Sequence, residues 1–133
     1  MNREILFRGK KSNGRWVYGS LVVSENISPA IYYNVSKGVA DVLDWCYVKP
    51  DTIGQYTGLT DKEGNKIFEG DVLYQGAKML GVVCISARYG ISIQKKSSTW
   101  SLINFVLDSD FDAGVLSDIE VRGNIYDNSE LMK

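Results

Sequence analysis

Thirteen glycines are spread along the 133 residues, and the stretches between them are rich in β-branched and aromatic side chains. A glycine inside a helix costs about 1 kcal/mol relative to alanine, whereas in a turn or bulge it supplies the backbone conformations that other residues resist. Thirteen Val, eleven Ile and eight Tyr stand against only five Ala. Such side chains suit a pleated, half-buried surface, while helices favour Ala and unbranched chains. Glycine punctuation and β-branching together predict a mainly β chain of short strands.

The first element reads as a hairpin. Glu4–Lys10 and Arg15–Val23 flank Lys11-Ser12-Asn13-Gly14, and Asn-Gly predicts a type I′ turn. Ile5 and Phe7 share one face of the first strand, with Glu4, Leu6 and Arg8 on the other. Gly19, inside the second strand, signals a bulge or a close backbone approach. Ala30–Val35 and Val42–Val48 read as two further strands joined through Ser36-Lys37-Gly38. From Pro50 to Asp71 glycine and proline exclude long elements, and Asp61 to Gly64 fits a type I turn. A module boundary near Tyr56–Leu59 divides the chain into an N-terminal hairpin-rich β module, 1–57, and a second module, 58–133. In the second, Val72-Leu73-Tyr74, Met79–Ala87, Tyr89–Gln94 and Ile119–Tyr126 read as short strands, whereas Ser98–Leu107 fits neither strand nor helix period. About five short strands predict an SH3-like small β-barrel, with a short helical turn over Asn128–Met132.

Composition narrows the chemistry. Fifteen Lys+Arg against sixteen Asp+Glu give a formal charge of -1, without the basic excess of a non-specific nucleic-acid binder. The absence of histidine removes the commonest general base and metal ligand together. No phosphate-cradling glycine motif occurs, and a Ser or Cys nucleophile would lack its usual activator, so no catalytic residue and no cofactor is expected. Asp108-Ser109-Asp110-Phe111-Asp112 begins like a calcium loop, but Ala113 stands where glycine is needed and Ile119 where glutamate is. An acidic surface loop without metal is the expectation. Cys46 and Cys84 lie in apolar runs and read as small core hydrophobes rather than a disulfide. The N-terminus lacks the apolar segment of a signal peptide, and no apolar run reaches the roughly 18 residues of a membrane helix, which points to the cytoplasm. On that reading the sequons at Asn26 and Asn34 are chance matches.

The run Thr52-Ile53-Gly54-Gln55-Tyr56-Thr57-Gly58-Leu59-Thr60-Asp61, then Gly64 and Ile67-Phe68-Glu69-Gly70-Asp71, resembles the signature of the YopX family. The start, Arg3-Glu4-Ile5-Leu6-Phe7-Arg8, and the end, Val121-Arg122-Gly123-Asn124-Ile125-Tyr126-Asp127-Asn128-Ser129-Glu130-Leu131, are similar to it as well. The resemblance implies a phage- or prophage-encoded protein of about this length, with an SH3-type barrel in its C-terminal half and no assigned molecular function. The chain departs from the pattern at Gly9-Lys10, where a small residue followed by tryptophan is frequent, and at Ser129, where proline is common.

Two modes of action are consistent with these features. The first is protein interaction or self-assembly through β-surfaces bearing Trp16, Tyr18, Tyr32, Tyr33, Trp45 and Tyr47, the partner being a second copy or a host or phage protein. The alternative, less favoured at this net charge, is nucleic-acid binding by a basic-aromatic surface of Arg88, Tyr89, Lys95, Lys96 and Trp100. Charge is uneven: residues 1–20 carry five basic and one acidic side chain, and residues 97–133 carry seven acidic and two basic.

Overall fold

The computed structural model describes residues 4–35 and 42–128. These form two antiparallel sheets with 55% of residues in strands and one short α-helix. The chain divides into two compact units, residues 1–56 and 57–133.

In the first unit, β1 (Phe7–Lys10), β2 (Trp16–Ser24), β3 (Ile27–Asn34) and β4 (Leu43–Tyr47) lie in the spatial order β4-β3-β2-β1. The start of β5 (Gly54–Thr60) adds to β1, with Arg8 opposite Gly54. The β1–β2 hairpin does not close through a type I′ turn. That turn needs both Asn13 and Gly14 left-handed, yet only Gly14 is, at φ 84°. The turn sits one residue earlier: the Gly14 N–H donates to the Lys11 carbonyl at 2.9 Å, and the Lys11 N–H to the Arg15 carbonyl at 2.9 Å. This is the three-residue loop that ends in a glycine bulge. Asn13 keeps ordinary backbone geometry because its side-chain carbonyl accepts the Arg15 N–H at 2.9 Å. After β4 a 3-10 turn, Pro50–Thr52, is fastened by the Thr52 hydroxyl, which accepts the Lys10 N–H at 2.8 Å and donates to the Lys49 carbonyl at 2.7 Å. Among the described residues of this unit, Ala30, Ile31, Val48 and Tyr56 are the buried apolar ones.

The second unit contains the rest of β5, β6 (Lys66–Phe68), and a five-stranded sheet of β7 (Asp71–Gln75), β8 (Lys78–Ser86), β9 (Gly90–Lys95), β10 (Ser98–Ser101) and β11 (Glu120–Asn124). Its order is β10-β9-β8-β7-β11, a meander whose first strand receives the last. The small barrel expected here is instead an open sheet, since β10 and β11 are its two edges. The chain between them folds as a 3-10 turn (Leu102–Asn104) and a helix, α1 (Asp108–Ala113), so no strand of the sheet joins the edges. Leu59, Ile67, Leu73, Leu80, Val83, Ile93, Leu102, Leu116 and Ile119 form one buried cluster.

Ser98–Leu107 resisted either period because it is both: a strand, then a 3-10 turn that buries Leu102. The acidic stretch expected as a loop is α1. Asp108 and Asp110 occupy its first turn, where a helix end favours negative charge, and Gly114, left-handed at φ 79°, terminates it. The turn expected at Ser36-Lys37-Gly38 lies outside the described residues, as does the helical turn over Asn128–Met132 beyond Asn128.

The cysteines correct an expectation. Both are half-buried rather than core. Cys46 sits on the short edge strand β4, and Cys84 faces Ser92 across β8 and β9, whereas its neighbour Val83 pairs with core Ile93. Burial, aided by the Glu69 charge, pushes the Cys84 thiol up. A neutral-pH thiol reagent is therefore expected to label both cysteines without denaturant, Cys84 slowly because burial keeps it mostly as the unreactive thiol. Mass spectrometry over a labelling time course checks this; labelling that requires denaturant would restore the core assignment.

Candidate functional site

The residues behind the YopX resemblance mostly satisfy backbone groups. The Thr57 hydroxyl donates to the Ile67 carbonyl at 2.8 Å and accepts the Leu59 N–H at 3.2 Å. Asp71 accepts the Phe68 N–H at 2.8 Å, and the Asn124 side-chain carbonyl accepts the N–H groups of Tyr126 and Asp127 at 2.9 and 2.8 Å. Asp61 is the most heavily engaged. Fully buried, it accepts the N–H groups of Glu63 (2.9 Å), Asn65 (2.8 Å) and Val121 (2.9 Å), and the Asn65 side-chain amide at 3.2 Å. Burial alone would raise its pKa, but the hydrogen bonds from Val121, Asn65 and Glu63 outweigh burial and hold the carboxyl below the usual carboxylate range. The turn at Asp61 was legible in the sequence; its grip on Val121, sixty residues away, was not.

The basic-aromatic candidates separate. Arg88 and Tyr89 lie in the β8–β9 turn, where the Ser86 hydroxyl accepts both their N–H groups and the Arg88 guanidinium sits 5.3 Å from the Tyr89 ring centre. Lys96 is in the turn at the opposite end of β9, left-handed at φ 56°. β9 is six residues long, which at about 3.3 Å per residue places the two turns roughly 17 Å apart. Lys95 and Trp100 do come together, with Lys78, Met79, Leu80 and Phe105, around a groove of about 340 Å³. There the Lys95 ammonium donates to the Met79 carbonyl at 3.4 Å, and Trp100 meets Phe105 edge to face. A larger groove, about 470 Å³, has Phe105, Leu107, Leu116 and Ile119 in its walls beside Asp110 and Asp118. Asp110 accepts from the Ser117 hydroxyl, and Asp118 from the Gln75 amide at 2.7 Å. Among the described residues no three His, Cys, Asp or Glu side chains are placed to hold a metal ion. None of the described helices is long and apolar enough to cross a membrane.

The most distinctive surface is one face of the first unit's sheet. Directly opposed residues point to the same side of a sheet, so the register groups Arg8 with Tyr18, Lys10 with Trp16, Ser20 with Tyr32 and Trp45, and Val22 with Ala30 and Tyr47. Leu43, opposite Asn34, completes this face. The Tyr32 and Trp45 rings stack at 6.0 Å, Trp45 meets Tyr47 edge to face at 5.0 Å, and the Arg8 guanidinium lies 4.6 Å from the Trp16 ring centre. The cross-strand groups hold no carboxylate on this side; Asp44 points to the other, opposite Tyr33. Burial, reinforced by the Asp44 charge, raises the Tyr33 phenol. Five apolar side chains of the face remain open to solvent: Tyr18 47%, Val22 49%, Leu43 67%, Trp45 45% and Tyr47 51% exposed.

A model of the YopX protein family matches residues 6–133. The chain belongs to the YopX family. No curated protein matches it. Among solved structures it is similar to a crystal structure of protein EF1440 from Enterococcus faecalis, with a TM-score of 0.54 and 17% identity over 99% of this chain and 100% of that one. At that identity the likeness shows the shared fold. The backbone-clamping residues between Thr52 and Asp71 and between Val121 and Asn128 lie within the matched range.

Proposed function

We propose that this YopX-family chain is a non-catalytic phage or prophage accessory protein of the bacterial cytoplasm, acting through protein interaction or self-assembly. The observation that carries the proposal is the exposed apolar face of β2, β3 and β4. Three half-exposed aromatic rings put on the order of 300 Å² of apolar surface there, and Val22 and Leu43 extend it. A contiguous apolar patch of that size matches the largest one a typical monomer carries, and such patches are often functional. Its composition, aromatic and without a carboxylate in the cross-strand groups, is that of an interface core.

The second reading, a nucleic-acid-binding SH3-like module, draws on the groove that joins Lys78, Lys95 and Trp100 and on the strand order of the second sheet, an open meander whose first strand receives the last. Affinity purification from a bacterial host, with and without nuclease, separates the two. Complexes are expected to survive nuclease and high salt, to vanish with Val22→Lys and Tyr47→Lys, and to persist with Lys95→Glu and Trp100→Ala. A complex that dissolves with nuclease, weakens steeply with salt and depends on Lys95 and Trp100 would reverse the assignment.

A further inference from the structure

We propose that β4 pairs with β4 of a second copy, antiparallel about a two-fold axis through Trp45. The proposal rests on the interaction reading above and names its partner. Within the described residues β4 ends its sheet, with β3 on one side only. The phase of the β3–β4 ladder fixes which backbone groups face outward. The Val35 N–H donates to the Val42 carbonyl at 2.8 Å, and the Val48 N–H to the Pro29 carbonyl at 3.0 Å. Hydrogen-bonded pairs alternate along an antiparallel ladder, so Val42, Asp44, Cys46 and Val48 address β3. Leu43, Trp45 and Tyr47 present their N–H and C=O groups to the open edge. The same three residues carry exposed apolar side chains on the aromatic face, so the edge that offers hydrogen bonds also offers side-chain contact.

The strand is complementary to itself. Centred on Trp45, antiparallel pairing sets Trp45 against Trp45, Leu43 against Tyr47 and Asp44 against Cys46 of the other copy. No like charges oppose each other, and the Tyr32–Trp45 stack continues across the axis into one aromatic face. Moving the register two residues one way sets Asp44 against Asp44, a repulsive pair. Moving it two residues the other way sets Cys46 against Cys46. The central donor is guarded in the single chain: the Asp44 carboxylate accepts the Trp45 N–H at 2.8 Å. Charged side chains blunt sheet edges in this manner, so pairing must first release that bond, and Asp44 tunes the association.

Sedimentation of the full chain from 1 to 100 µM is expected to show a reversible monomer–dimer equilibrium. Asp44→Ala should tighten it about tenfold, since each copy no longer releases a hydrogen bond. Trp45→Lys and Trp45→Glu should each be monomeric alone and form a dimer when mixed, because only self-facing residues convert repulsion into attraction. Leu43→Lys alone should dissociate the dimer, and adding Tyr47→Glu in the same chain should restore it. This second pair decides the matter if Trp45 variants fold poorly. A wild-type chain monomeric at 100 µM, a mixture that stays monomeric, or a disulfide dimer formed through Cys46 on mild oxidation would each overturn the proposal. If the chain is monomeric and a host protein is still lost with Val22→Lys, the broader interaction reading stands without this partner.

Discussion

Replacing Asp61 by alanine is expected to remove about 3–5 kcal/mol of stability, the cost of stranding several buried donors together. The Glu63, Asn65 and Val121 N–H groups all end on this one carboxylate. Water can reach the turn at Glu63 more readily than the sheet at Val121, which keeps the total below three full penalties. Asp61→Asn keeps the shape but turns an amide NH2 toward other donors, and about 2 kcal/mol is expected. Urea unfolding followed by circular dichroism measures both, and a midpoint unchanged by Asp61→Ala would refute the clamp. The pH dependence has a definite sign. Asp61 has a lower pKa folded than unfolded, so the unfolded chain takes up its proton first as pH falls. Its contribution is complete above the ordinary carboxylate pKa, about 4, and is lost as pH drops through the depressed folded value. Glu120, held low chiefly by the hydrogen bond from Arg122, adds to the same limb. Asp61→Asn should therefore flatten the acid limb in part and leave stability between pH 6 and 8 parallel to wild type.

The features legible in the sequence are those set by near neighbours. Strand positions followed from alternation and glycine punctuation, and the Asp61–Gly64 turn from Asp and Gly at fixed offset. Strand alternation turns adjacent Tyr32 and Tyr33 to opposite faces; the ladder decides that Tyr32 joins the aromatic face while Tyr33 lies opposite Asp44. Features decided by distant partners have no local signature. Barrel closure depends on whether edges formed by β10 and β11 meet, and no local pattern encodes that. Arg88, Tyr89, Lys95, Lys96 and Trp100 are close in sequence, but closeness in sequence does not make one surface. A strand runs between them, and it carries its two turns to opposite ends. At Asn13-Gly14 the reason is subtler: an Asn side chain that accepts the N–H two residues on, here that of Arg15, steadies the turn with its own backbone in ordinary geometry. The aromatic face was present as named residues, but its unity across three strands required the register.

Gly19→Ala is the second large effect, about 3 kcal/mol of destabilisation. A Cβ at Gly19 would be driven into the Tyr32 carbonyl and close to the Ile31 side chain, 3.1 Å from its Cγ2. The obstacle is backbone, so no rotamer change relieves it, and the cost falls at the upper end of the range for overpacking. Gly14→Ala separates this steric term from the conformational one. Gly14 is left-handed at φ 84° with open space around its Cβ position, so only about 1 kcal/mol is expected there. Similar losses at both positions would show that the close approach of β2 to β3 carries no special weight. Among its described residues the first unit has few buried apolar ones with which to absorb such a shift, Ala30, Ile31, Val48 and Tyr56. A wedge between β2 and β3 also displaces Tyr32, whose ring supports Trp45 in the stack. Gly19→Ala is therefore expected to weaken association through β4 even at temperatures where the chain remains folded, which Gly14→Ala should not do.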